Sequence, residues 1–298
     1  MSYRNIFISS PAKLSTKNNQ LCVQTEDLYT IPIEDINSIM LESRQITINT
    51  YTLGKLAEKH VALFVCNEKH LPCACLTPLS CHSRQLKIIR LQTGQSKPFL
   101  KRLWQSIVKA KITNQSLCLS MTDSPNAQKL SDLIGRVGSG DPDNIEGLAA
   151  AVYFKSLFGP SFNRNIDNPI NSALNYGYAI LRGAIARMLA AYGFEPSVGI
   201  CHHSELNPFN LADDLIEPFR PIVDLWVKTN ALETFEFTSK TKQQLYNILS
   251  YSIISGGQRH SINNAIERLV ISLSKSYEEK ENKLILPELM GLVLHEYE

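Results

Sequence analysis

Three places in the chain concentrate side chains able to hold a divalent ion. The first is Glu146, which opens the run Glu146-Gly-Leu-Ala-Ala-Ala-Val-Tyr-Phe154. Its small, apolar neighbours predict a buried helix, and an acid in the first turn is also favoured by the helix dipole alone. The second is Cys201-His202-His203, just after Pro196-Ser-Val-Gly-Ile200. A histidine there suits a satisfied core position as well as a ligand role. The third is Asn207-Pro-Phe-Asn-Leu-Ala-Asp213-Asp214-Leu-Ile-Glu217-Pro-Phe-Arg-Pro221. Asn207-Pro208 reads as a cap and first-turn pair. Asp213 and Asp214 precede Glu217 at spacings that put carboxylates near one helix face. Three acids so close repel one another, and a cation would relieve that. The other reading is acids solvated on the outer face, opposite Phe209 and Leu215. Pro218 predicts that the helix ends or kinks near Glu217.

Carboxylates with one or two imidazoles and no thiolate partner suit Mg2+ or Mn2+ better than zinc. The cysteines at 22, 66, 73, 75, 81, 118 and 201 are odd in number and irregularly spaced. That is a poor disulfide framework, and the expectation is reduced thiols in a cytoplasmic protein. Cys73-x-Cys75 with Cys66 and Cys81 invites a zinc reading, but the spacing fits no finger pattern. Net charge is only +2, yet its distribution is uneven. From Lys69 to Thr122 there is no Asp or Glu, and the stretch holds Lys69, Arg84, Lys87, Arg90, Lys97, Lys101, Arg102, Lys109 and Lys111. Such a surface attracts a polyanion by counterion release, unless the fold balances it with acids from elsewhere. A hard divalent ion beside a basic surface is apparatus for phosphodiester chemistry.

The elements that must position these groups follow from periodicity. The chain has 298 residues and is 44% hydrophobic, which excludes disordered and collagen-like classes. No run of about 18 apolar residues exists, so no membrane span is expected, and the N-terminus lacks the pattern of a secretory signal. Short β-rich runs occupy Ile6–Ile8, Gln20–Thr25, Leu28–Ile33, Ile36–Leu41 and Ile46–Ile48. Thr52–Lys59 reads as a helix, and Val61–Val65 and Cys73–Leu76 as strands. Thr77-Pro-Leu-Ser80 is a break, after which helical periods dominate. Phe99, Leu103, Ile107 and Ala110 form one apolar stripe, with Lys97, Lys101 and Lys111 off it. A helix begins at Ser124-Pro125, and Asn144 caps another after the loop 138–144. Ile170–Tyr192 is a long apolar helix ended by Gly193. Further helices are expected at about 208–229, 240–255, 261–276 and 286–296. The fold class is α+β: a small N-terminal β domain, residues 1–80, followed by a larger all-α catalytic domain, residues 81–298.

Four phrases resemble the CRISPR adaptation integrase family, the universal endonuclease that inserts new spacers. They are Glu146-Gly-Leu-Ala-Ala-Ala-Val-Tyr-Phe154, Asn171-Ser-Ala-Leu-Asn-Tyr-Gly-Tyr178, Gly199-Ile-Cys-His202 and Asp214-Leu-Ile-Glu217-Pro-Phe-Arg-Pro221. They fall in the family's order and spacing, and the resemblance covers nearly the whole chain. The family binds its catalytic metal through one Glu, one His and one acid. Carried over, these are Glu146, His202 rather than His203, and an acid of the D-L-x-E phrase. The stretch His202–Glu217 is most similar to the subgroup accompanying the single-protein RNA-guided nuclease, in which the last Glu is the ligand. Glu217 is therefore assigned, with Asp214 second and Asp213 third.

The resemblance further implies a homodimer formed through the β domain. It implies a heterohexamer with a small ferredoxin-like partner subunit. The DNA substrates are a spacer precursor and the CRISPR repeat, in a prokaryotic cytoplasm. The 3′-hydroxyls of the precursor attack phosphodiesters at the ends of the first repeat, without a covalent enzyme intermediate. Arg84, Lys87 and Arg90 are expected on the DNA backbone. Arg164 and Arg220, nearer the metal in sequence, are candidates for phosphate contact or for pairing with a core carboxylate. Two other readings share these motifs: a metal-dependent nuclease acting on branched DNA or RNA in repair, and a non-enzymatic DNA-binding scaffold.

Overall fold

Alternation of apolar side chains along the N-terminal strands decides where two hydrophobic cores meet. The computed structural model describes residues 4–68, 72–76, 83–231 and 235–296. Strands β1 (Arg4–Ile8), β2 (Ala12–Lys17), β3 (Gln20–Gln24), β4 (Leu28–Pro32), β5 (Ile36–Leu41) and β6 (Ile46–Ile48) precede helix α1 (Thr50–Glu58), β7 (Ala62–Cys66) and β8 (Pro72–Leu76). They form two four-stranded sheets, ordered β1-β5-β7-β8 and β4-β3-β2-β6. In the first, β5 runs parallel to β1 and β7, and β8 is antiparallel to β7. All six residues of β5 are buried, as expected for a strand covered on both faces. Ile39, Leu41 and Leu63 face an N-terminal core with Leu14, Leu21 and Leu56. Met40, Ala62, Phe64 and Cys66 face the core of the helical region. One sheet is thus a wall shared by two cores.

β2 was not expected from sequence. Its only large apolar residue is Leu14, yet the strand joins β3 to β6 and buries Ala12 and Leu14. The break expected at Thr77–Ser80, and with it the proposed division after residue 80, lies outside the described residues.

The remainder contains α2 (Gln85–Thr93), α3 (Lys97–Met121), α4 (Ala127–Ile134), α5 (Ile145–Phe158), α6 (Pro169–Ala191), α7 (Asn210–Leu215), α8 (Arg220–Asn230) and α9 (Ser239–Tyr246). Strands β9 (Ser252–Ser255) and β10 (Gln258–Ser261), helix α10 (Ile262–Glu279) and strand β11 (Pro287–Glu288) complete it. Helix α6 is capped by Asn168, which accepts from Asn171 N, and starts with Pro169. Gly193, with φ +80°, stands just beyond its end, as expected.

Four expectations are corrected. The region is largely helical rather than all-α, because β10-β9-β11 form a small sheet. The helix expected over 240–255 stops early, and Gly256-Gly257, both at positive φ, turn β9 into β10. The segment 286–296 is extended rather than helical. Buried Asn114 of α3 accepts from Leu289 N and donates to Pro287 O, fastening that segment. The helix expected over 208–229 is interrupted by a 3-10 turn, Glu217–Phe219, where Pro218 predicted a break.

Side-chain hydrogen bonds tie the shared wall to the helices. Asn5 Nδ2 donates to Ser250 Oγ at 2.8 Å, Ser38 Oγ and Tyr246 Oη are 2.6 Å apart, and Lys242 pairs with buried Glu42 at 3.3 Å. Deeper in the helical core, Asp224 of α8 accepts from the hydroxyls of Tyr153 (3.0 Å) and Tyr178.

Burial pushes the Asp224 carboxyl up to about 6, although both tyrosine hydroxyls pull it down. An unfolded Asp titrates near ~3.9. Below that value the residue is neutral in both states and costs nothing. As pH rises to about 6 the unfolded chain alone gains from ionisation, so stability falls, by up to about 3 kcal/mol. Asp224→Asn is expected to flatten the fall between about pH 4 and pH 6, read from urea unfolding at several pH values. An undiminished fall in the variant would place the titration elsewhere.

Candidate active site

Helix α5 begins at a tightly built corner. Asp141 Oδ1 accepts from Ile145 N (3.0 Å) and Oδ2 from Glu146 N (2.9 Å), while Asn144 Oδ1 accepts from Gly147 N (3.2 Å). The expected cap at Asn144 is present, and Asp141 is an additional one. Glu146 is thereby fixed in the first turn. The helix is not buried all round, as its sequence had suggested. One stripe, Ile145, Ala149, Tyr153 and Leu157, is buried, while Gly147, Leu148 and Ala151 are exposed.

Glu146 and Glu217 meet at one cation. Lys111 Nζ of α3 donates to Glu146 Oε1 at 2.6 Å and contacts Glu217 Oε2. Glu217 Oε1 accepts from Arg220 Nε at 2.8 Å. Its other oxygen, Oε2, is buried against the Lys111 ammonium. Burial opposes the charge on Glu217, but Lys111 and Arg220 overcome it and hold the carboxyl at about 2. Burial likewise opposes the Lys111 charge, and Glu217 and Glu146 overrule it, raising its pKa. Lys111 therefore does not belong to the basic surface, where its sequence context had placed it. It lies on the apolar face of α3, four residues beyond Ile107.

Asp214 has a different task. It is fully buried. Oδ2 accepts from Ile200 N (2.5 Å) and Cys201 N (3.0 Å), and Oδ1 from His202 N (3.2 Å), with His202 Nδ1 at 2.6 Å. The loop closes around this carboxylate only because residue 199 is glycine. A Cβ there would collide with the His202 carbonyl and come within 2.9 Å of Asp214 Oδ2. The His202 ring stands edge-on to Trp104, centroids 5.7 Å apart. Its pKa is raised, chiefly by the bond to Asp214 and further by the charges of Glu217 and Glu146, against the effect of burial. His203 is exposed. Asp213 turns to Asn207 Nδ2 (2.7 Å) and Arg182 Nε (3.4 Å). The three acids expected to share one face thus have separate partners.

Arg164 and Arg220 both lie against the Tyr178 ring, at 5.6 and 4.6 Å. Arg164 also donates to Asn171 Oδ1 (2.5 Å) and Asn175 Oδ1 (2.7 Å). Both guanidiniums are committed to protein groups. Arg84, Lys87 and Arg90 are exposed on or beside α2, and Lys97, Lys101 and Arg102 are exposed at the start of α3. Lys87 pairs with Glu278 at 2.8 Å. Among the described residues no three His, Cys, Asp or Glu side chains converge on one point. Lys111 stands between the two glutamates. Of the cysteines, Cys66 lies against Met40 Sδ and Cys73 is exposed, and Cys81 falls outside the described residues. Sequence reasoning missed Lys111, Asp141, Trp104 and Asn114. The spacing of Lys111 along the α3 stripe was the available signal for the first.

The family model described as CRISPR associated protein Cas1 matches residues 6–247. The CRISPR-associated endonuclease Cas1 of Neisseria meningitidis serogroup C (strain 8013) is 43% identical over 305 aligned residues, covering 100% of both chains. Among solved structures, a casposase bound to integration product superposes with TM-score 0.76 at 17% identity, covering 96% of this chain and 93% of that one. A Cas6-RT-Cas1–Cas2 complex superposes with TM-score 0.70 at 16% identity, over 96% of this chain and 36% of that one. The structural likenesses show the same mixed fold, and no described helix is long and apolar enough to cross a membrane. The extent of the model match and the full-length identity establish that the chain belongs to the CRISPR-associated Cas1 family of endonucleases.

Proposed function

We propose that this chain is the endonuclease and integrase of CRISPR spacer acquisition, and that Glu146, His202 and Glu217 hold its divalent ion. The observation that carries the site assignment is the meeting of Glu146 and Glu217 at a single cation. Two carboxylates already arranged around one positive charge fit a spherical ion. His202 adds an imidazole whose Nδ1 is held by Asp214, so that Nε2 is the nitrogen available to a ligand. A carboxylate behind a ligating histidine is the usual means of fixing its tautomer and direction. Two oxygens and one nitrogen suit Mg2+ or Mn2+. Such an ion supplies Lewis-acid stabilisation of charge developing on a phosphate.

The chain's own residues then divide the work. Glu146 and Glu217 hold the ion, His202 completes the set, and Asp214 and Trp104 aim the imidazole. Arg220, braced on Tyr178, keeps Glu217 ionised and directed. The exposed cations of α2 and α3 hold the DNA backbone without reading sequence. In the joining step a DNA 3′-hydroxyl loses its proton and forms a new P–O bond at the repeat. The bond to the departing 3′-oxygen breaks, that oxygen takes up a proton to become a new 3′-hydroxyl, so none is consumed overall, and no protein nucleophile is required.

The partners expected are DNA, a second copy of the chain through its β domain, and a small Cas2 subunit bridging two such dimers in a prokaryotic cytoplasm. The integration product on the casposase and the Cas2 of the multi-subunit complex support this reading. The phrase His202–Glu217 supports placing the chain beside a single-protein RNA-guided nuclease.

On a supercoiled plasmid carrying a repeat, with the Cas2 partner present, joined products are expected; nicking without joining would favour the repair-nuclease reading. Glu146→Ala should abolish joining while thermal unfolding shows a folded protein, and full activity would sink the assignment. Asp214→Asn should lose about 10–100-fold in half-site joining, as for a group that orients a ligand. Glu217→Gln should lose more, with only partial recovery over a Mn2+ titration. The reverse order would make Asp214 the ligand.

DNA affinity should fall steeply with salt. If all six exposed cations Arg84, Lys87, Arg90, Lys97, Lys101 and Arg102 neutralise phosphates, log K falls against log salt with slope about −5. Arg84→Ala with Lys87→Ala should flatten it by about 2, and an unchanged slope would move the contact surface elsewhere.

A further inference from the structure

Lys111 is a buried cation that the proposed mechanism does not use. Its side chain is 10% exposed, and its ammonium touches both glutamates assigned to the ion. Arg220 touches one of them from the other side. Both oxygens of Glu217 are therefore already engaged by positive charge, and so is Oε1 of Glu146. An entering ion must compete with Lys111 for the same atoms.

The charge count sets the consequence. Glu146 and Glu217 bring two negative charges, and Lys111 and Arg220 cancel them. With the buried Asp214 carboxylate behind His202 counted as well, a divalent ion added to this largely desolvated cluster leaves an excess of one positive charge, which a low-dielectric site resists. A DNA phosphate seated beside it returns negative charge. Ion and phosphate then favour each other, and by linkage the favour is mutual and equal. Without Lys111 the cluster is anionic and has no such need of a phosphate.

We propose that Lys111 is a positioning residue that occupies the ion's carboxylates in the free protein and thereby makes divalent-ion binding and DNA binding depend on each other. It keeps Glu146 and Glu217 facing each other, where two bare carboxylates would repel. It also leaves the site poorly loaded until DNA arrives, which restrains metal-dependent cleavage away from a seated substrate. The proposal rests on the assignment of Glu146 and Glu217 as ligands.

The test is Mn2+ binding by the full-length chain, read from the electron paramagnetic resonance of the free ion. It is run with and without a short DNA duplex carrying 3′-hydroxyl ends, for the parent, Lys111→Met, Lys111→Gln and Glu146→Gln. The parent is expected to bind Mn2+ about tenfold more tightly with the duplex, within the usual range of coupling between sites. Lys111→Met should bind Mn2+ about tenfold more tightly than the parent without DNA, and should gain little when the duplex is added. Lys111→Gln keeps a donor for Glu146 and should show the same pattern if the Met variant does not fold.

A folded neutral variant that binds Mn2+ no more tightly than the parent would overturn the proposal. So would a parent whose Mn2+ affinity ignores the duplex, a result that needs no variant. Glu146→Gln separates the two levels. If it weakens Mn2+ binding while the Lys111 variants change nothing, the ligand assignment stands and only the role of Lys111 falls. If it leaves Mn2+ binding intact, the ligand assignment falls and takes this proposal with it.

Discussion

A cluster of ionised groups inside a helical core survives only if each charge finds its opposite. Desolvating a carboxylate or an ammonium costs several kcal/mol, and an unpaired one is not tolerated. Glu217 and Lys111 are 7% and 10% exposed at the side chain, so their mutual contact, with Glu146 and Arg220 on either side, is the condition for building the rest. Helix α3 meets that condition by carrying three fixtures on one face. Trp104 lies against the His202 ring, Lys111 holds the two glutamates, and Asn114 donates to the Pro218 carbonyl at 2.7 Å. The spacings from 104 to 111 to 114 are those of a single helical face. One rigid helix therefore sets the relative positions of the imidazole, both carboxylates and the turn that bears Glu217.

The acids of the 207–221 segment show how repulsion is resolved by divergence rather than by a shared ion. Asp213, Asp214 and Glu217 lie within five residues, yet the helix containing the first two ends at Leu215 and Pro218 forces a tighter turn. The change of pitch rotates Glu217 toward Lys111 and leaves Asp214 facing the 199–202 loop. Asp214 then serves as acceptor for three backbone N–H groups and a ring nitrogen. A carboxylate so saturated has little capacity left for a metal, whereas each Glu217 oxygen faces a single cation. Of the two carboxylates, Asp214 thus carries the heavier load of hydrogen bonds.

Much of this was readable in the sequence where a single local rule governs. Strands with period-two burial, the Asn144 cap, the end at Gly193 and the break at Pro218 depend on nearest neighbours. What was not readable depends on distant ones. Lys111 reads as a surface cation unless acids from α5 and from the turn at 217 are known to meet it. Strand β2 offers one large apolar residue, and its place is dictated by two partners. The Gly256-Gly257 hairpin had a visible turn signal, outweighed by the helical character of 239–250 before it. The 286–296 segment is held extended by Asn114, some 170 residues earlier in sequence. The exposed side of α5, with Leu148 45% accessible, looked like core because composition cannot tell a buried alanine from an exposed one.

The shared sheet adds a constraint that neither core would impose alone. Because β5 is buried along its whole length and β7 contributes to both cores, the N-terminal strands cannot shift without disturbing the helical core. Phe64 of β7 packs so closely on Gly183 of α6 that a Cβ at 183 would lie 2.9 Å from its ring. Gly183 is little more than one turn from Tyr178, whose ring carries both Arg164 and Arg220 and whose hydroxyl donates to Asp224. Arg220 in turn fixes Glu217. A continuous path of packed side chains and charge-assisted hydrogen bonds therefore runs from the β wall through α6 to the carboxylate. The ties Asn5–Ser250, Ser38–Tyr246 and Glu42–Lys242 close the same joint on its other side. Well-packed interiors transmit displacement rather than absorb it, so the orientation of the β sheets and the geometry of the candidate site are set together.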